Sequence, residues 1–147
     1  MTQFYYLSSK TPLETGVIGE VKKKSKKGHM TIESRIDEAS ITVKLLDGEG
    51  PGNLSYPYQY EVFANVGDFG ANTTILNEFD QKCLNTLLVY VIEALKESFV
   101  IEWFTAWAGE ENQEPVRVTE IAKEELAVEA MHLQNLEKLR IYRQIRY

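Results

Sequence analysis

The chain has 147 residues, of which 44% are apolar and 26% charged, with a formal net charge of −6. That length and balance fit one ordinary globular domain spanning residues 1–147 and exclude a wholly disordered chain; the negative charge disfavours general attraction to phosphate backbones or anionic lipid. Cys83 stands alone, which excludes an internal disulfide, and its place in an apolar helical pattern marks it as a buried thiol.

Taken in chain order, the opening MTQFYYLSSKTPLETG has no charged segment followed by an apolar core, so it does not read as a signal peptide. Residues 4–7 read as a short aromatic strand and 17–21 as a weaker one. Then five lysines, Lys22, Lys23, Lys24, Lys26 and Lys27, fall within six positions. A nucleic-acid patch needs positive charge set along phosphates, often with aromatics interleaved for stacking, and none stands inside this run. A solvated turn or hairpin tip that protects an edge strand is the expected reading. Contact with nucleic acid, or with an acidic partner, is the rival.

Residues 30–36 extend again. From Ser40 the alternation is clear, with Ile41, Val43 and Leu45 on one side and Thr42 and Lys44 on the other. DGEGPGN, residues 47–53, is dense turn chemistry. The next strand sets Tyr58, Tyr60, Val62, Ala64 and Val66 against Gln59, Glu61, Phe63 and Asn65, a mix that suits a half-buried pleated surface. A long amphipathic helix over residues 77–97 follows. Phe79, Cys83, Leu87, Val91 and Leu95 recur every four residues, Leu84, Leu88 and Ile92 widen the stripe, and Thr74 or Asn77 stands ready as cap.

Residues 99–107 alternate as a strand with aromatics on both faces. Residues 115–118 predict its hairpin return. Residues 122–142 are rich in helix formers, and Leu126, Ala130, Leu133, Leu136 and Leu139 predict a C-terminal helix. The whole predicts an α+β fold: a mostly antiparallel sheet with the long helix packed on one face and a C-terminal helix.

The catalytic inventory is thin. His29, His132 and Cys83 are too scattered for a zinc site, so neither metal nor cofactor is expected. There is no G-x-S-x-G, and nothing selects a working pair among twenty-two acids. GEGPG, residues 48–52, is not a phosphate loop, and Asp68-Phe69-Gly70 lacks any companion motif. Asn72, Thr73 and Thr74, ahead of the long helix, are the candidate anion ligands at a positive helix end. Charge is blocky: ten glutamates lie between Glu93 and Glu129, against Lys96, Arg117 and Lys123. Lys138, Arg140, Arg143 and Arg146 follow, and the spacing of Arg140 and Arg143 places two guanidiniums on one helix face, ready for an anion or a partner carboxylate.

The surplus of strand aromatics gives the leading expectation. Trp103, Trp107 and Phe104, with Arg117 on the neighbouring strand, form the candidate partner-binding surface of a protein-interaction module, and a homodimer through that surface is its simplest form. Nucleic-acid binding through the lysine run is one alternative. A small-ligand binder or enzyme with a tyrosine-lined pocket between helix and sheet is the other. The longest apolar run, residues 87–92, is far short of the ~20 residues that span a bilayer, so a soluble cytoplasmic protein is expected.

Overall fold

The computed structural model describes residues 2–24, 32–48 and 50–144. Among the described residues, seven strands form one sheet: β1 Gln3–Ser9, β2 Gly16–Lys24, β3 Ile32–Leu45, β4 Tyr58–Ala64, β5 Val100–Trp107, β6 Arg117–Ala122 and β7 Glu137–Tyr142. Their order is β2-β3-β4-β1-β5-β7-β6. Every pairing is antiparallel except that of β6 with β7. The helix α1, Glu78–Ala94, lies over β3 and β2 and touches the short helix α2, Val128–Met131. The α+β fold therefore stands as the sequence predicts.

Period-two burial builds the centre. Tyr5 and Leu7 of β1, Ile41 and Val43 of β3, Tyr60 and Val62 of β4, and Ile101 and Trp103 of β5 share one side with the stripe of α1, where Cys83, Leu84, Leu87 and Val91 have no exposed surface. Sealing a side chain such as Leu87 contributes about 1.5–3 kcal/mol. Asn77 is the cap: its Oδ1 accepts the Asp80 amide at 2.7 Å.

The other side of the sheet has a smaller core of Tyr6, Phe104, Ala106, Leu54 and Leu136. Leu54 belongs to the connection 46–57, which crosses this face and is tied to the next loop by Asn53 Nδ2 donating to the carbonyls of Glu111 and Gln113. Strand β5 is thus covered on both faces, which is why it carries aromatics on both.

Two expectations need correction. The C-terminal helix is only the four-residue α2, preceded by a 3-10 turn at Lys123–Glu125, and residues 137–142 are a strand. Leu133 and Leu139 enter the helix-side core whereas Leu136, at φ 63°, drops to the opposite side, so the three leucines at spacing three never share a helix face. The return strand expected to pair with β5 does not do so; β7 lies between β5 and β6.

Candidate functional site

The residues expected to meet a partner occupy several different environments. Trp103 has no exposed surface. Its ring stacks on Tyr5 at 5.5 Å, meets Phe69 edge-on at 5.4 Å, and its Nε1 donates to the Met131 carbonyl at 2.9 Å. Phe104 is sealed beneath Leu54 on the other side. Both rings are consumed by the chain's own core, so neither is presented to a partner by the folded chain. Trp107, at the strand end, is half-buried, and its Nε1 donates to Asn72 Oδ1 at 3.0 Å. Arg117 is 71% exposed, 3.7 Å from Glu137.

The candidate anion ligands do not converge on the helix end. Asn72 is engaged by Trp107, Thr73 turns its hydroxyl to the Ile75 carbonyl, and α1 begins at Glu78 behind the Asn77 cap. The carboxylates of Glu78 and Asp80 already occupy the first turn, where the helix dipole favours negative charge. Lys22, Lys23 and Lys24 continue β2, their backbones opposite Ser34, Glu33 and Ile32 of β3. Lys26 and Lys27 lie outside the described residues. Among the described residues, no group of three His, Cys, Asp or Glu side chains is placed to hold a metal.

One charged cluster centres on a fully buried carboxylate. Glu102 of β5 has no exposed surface and faces the 46–57 connection. It accepts from Ser8 Oγ at 2.9 Å, the Ser55 amide at 2.7 Å, Ser55 Oγ at 3.0 Å and Arg140 Nη2 at 3.0 Å, with Lys138 Nζ at 3.2 Å. The pairing register produces this row, because Glu102 lies opposite Ser8 on β1 and opposite Arg140 on β7, and Arg140 lies opposite Glu120 on β6. Burial alone would raise the Glu102 pKa. The Ser55 amide, the Ser8 hydroxyl and the Lys138 and Arg140 charges outweigh burial and hold it below the ordinary carboxylate range. An ionised carboxylate so saturated with donors fastens a loop and has little capacity left to take a proton.

A second feature faces solvent. The stretch from Glu14 to Gly19 runs beside α1 in the opposite sense. Tyr90 Oη donates to the Glu14 carbonyl at 2.6 Å, and the space above Gly19 is bounded by Thr86 Cγ2, 3.5 Å from where a Cβ would stand. Between the two lies a groove of about 590 Å³. Leu13, Ile18, Val89, Tyr90 and Ala94 supply its apolar lining. Glu14, Glu93 and Glu97 supply carboxylates, and among the described residues the one cation in its lining, Lys96, is already 3.0 Å from Glu93. Val89 is 60% exposed, so the groove is an open slot.

The tyrosine-lined pocket expected between helix and sheet thus corresponds to a groove with one tyrosine, Tyr90, whose burial pushes its phenol pKa up. Its other lining residues escaped the sequence. Their only signal was Val89, an extra apolar residue between Leu88 and Tyr90 that falls off the core stripe. Comparison with known proteins returns nothing: no family description, no curated protein and no solved structure matches the chain.

Proposed function

We propose that this chain is a protein-interaction module whose recognition site is the groove between α1 and the edge of β2, and not the aromatic strand β5. The supporting observation is the alignment of the two walls: as the chain advances from Glu14 to Gly19, its helix neighbour retreats from Tyr90 to Thr86. A slot shaped this way fits an extended segment of a partner. Its apolar floor offers anchorage, and its unbalanced carboxylates favour a partner segment bearing lysine or arginine. Display selection from a random dodecapeptide library tests this. Peptides with an apolar residue flanked by cations should be enriched and should bind the wild-type chain. Val89→Lys, a change at an exposed position that removes the apolar contact and opposes the peptide's cations, should abolish their binding and leave the unfolding midpoint in place. Failure to enrich any peptide, or binding indifferent to Val89→Lys, removes the groove as the site.

One observation favours a second reading. The pairing of β3 with β4 ends at Ile41, whereas β2 and β3 remain paired as far as Lys24 and Ile32. This two-stranded extension carries Lys22, Lys23 and Lys24, and a two-stranded ribbon is an element that fits a DNA major groove. Retention on duplex DNA that weakens steeply with salt and disappears on changing the three lysines to Gln would support it. No retention at low salt removes it.

A further inference from the structure

Resting on the groove as the recognition site, we infer that its occupant joins the sheet: an extended segment of a partner protein adds as a strand to the free edge of β2 along residues 16–18, with one apolar side chain against Val89 and cationic side chains beside Glu14 and Glu97. β2 ends the sheet, and along an antiparallel strand alternate residues turn their N–H and C=O away from the neighbour. Among the described residues no strand takes those groups on the outer side of β2. Ile18 pairs with Ile41 and packs against the helix-side core, so a strand laid outside it would direct every second side chain into the slot beneath α1.

The edge also limits where addition can occur. The register shifts between Ile18 and Glu20, and Gly19 there adopts φ 95°. A bulge of this kind breaks the ladder and confines addition to the residues before it. What remains is a short pairing edge flanked by a groove whose charge is negative. Affinity then comes from the side chain in the slot, and direction and register come from the backbone.

The experiment is an N-methyl scan of the most enriched displayed peptide, measured by titration against the full chain. Strand addition predicts that methylation at alternate backbone positions lowers affinity by about tenfold each, while the intervening positions tolerate it. The outward-facing amides among residues 16–18 should gain exchange protection in the complex. A peptide that binds, loses binding with Val89→Lys, but tolerates methylation everywhere would leave the groove reading intact and overturn strand addition. Failure of any peptide to bind overturns both. A chain that dimerises by sedimentation, with Val89→Lys restoring the monomer, would mean that a second copy occupies the slot, and overturns the partner-segment assignment.

Discussion

The Ser55 amide donates to Glu102 Oε1 at 2.7 Å while the Ser55 hydroxyl donates to Oε2 at 3.0 Å, so one residue of the 46–57 connection engages both oxygens of a fully buried carboxylate. Three glycines and two prolines leave that connection few side chains with which to hold itself, and Leu54 is its anchor in the apolar core. Its position over Phe104 and Tyr6 therefore depends on Glu102, helped by Lys138 Nζ donating to the Asn53 carbonyl at 2.5 Å.

Removing Glu102 strands cations that it neutralises, because Lys138 is 6% exposed and among the described residues pairs with no other carboxylate. Glu102→Ala should destabilise the chain by about 3–5 kcal/mol, the cost of breaking a buried pair from one side. Urea unfolding measures this, and hydrogen exchange should show the largest loss of protection over residues 50–57. A cost below about 1 kcal/mol would mean that the packing of Leu54, and not the carboxylate, holds the connection.

The depressed Glu102 pKa gives the pH dependence a definite sign. In the unfolded chain this group titrates near the ordinary value of about 4.3. Folded, it titrates lower, so between the two values the unfolded chain binds the extra proton. Its contribution is therefore fully present above the unfolded value, and is lost as pH falls through the folded one. The stability difference between wild type and Glu102→Gln should be flat from neutral pH down to about pH 5 and shrink below it. A difference that persists unchanged down to pH 3 would assign it to packing.

The two tryptophans should separate cleanly. Trp103→Ala removes a sealed ring stacked on Tyr5 and should cost about 3–5 kcal/mol. Trp107→Ala removes a half-buried ring with one hydrogen bond to Asn72 and should cost about 1 kcal/mol. Emission of the Trp107→Ala variant, which reports Trp103 alone, should be blue-shifted relative to that of a Trp103→Phe variant. Equal costs would contradict the difference in burial.

What the sequence disclosed was whatever a single periodicity determines. Cys83, Leu87 and Val91 lie on one helix face at any register of packing, and Tyr60 and Val62 alternate with Gln59 and Glu61 whatever lies beside them. The C-terminal segment carries two periodicities at once. Leu133, Leu136 and Leu139 mimic a helix, while Lys138 and Arg140 alternate with Leu139 and Ile141 as a strand. The strand wins through partners distant in sequence: Glu102 for the cations and the helix-side core for the apolar pair. The groove is also non-local, since Ile18 and Val89 meet only after folding. Trp103 was legible as an important residue but ambiguous in role, because a buried anchor and an exposed one look alike until the sheet order is known.

The start of α1 is fixed by a side-chain cap. Asn77 Oδ1 accepts the Asp80 amide at 2.7 Å, and Asn77 Nδ2 donates to Asp80 Oδ2 at 3.0 Å, which closes a reciprocal box around the first turn. Asp80 Oδ1 also accepts the Asp68 amide at 3.2 Å, tying the preceding loop to the helix. Asn77→Ala should therefore cost about 1 kcal/mol, and Thr74→Ala, outside the box, should stay within about 0.5 kcal/mol. Because Glu78 and Asp80 already neutralise this helix end, added phosphate should not raise the melting temperature of wild type. A rise abolished by changing Asn72, Thr73 and Thr74 together would restore them as anion ligands.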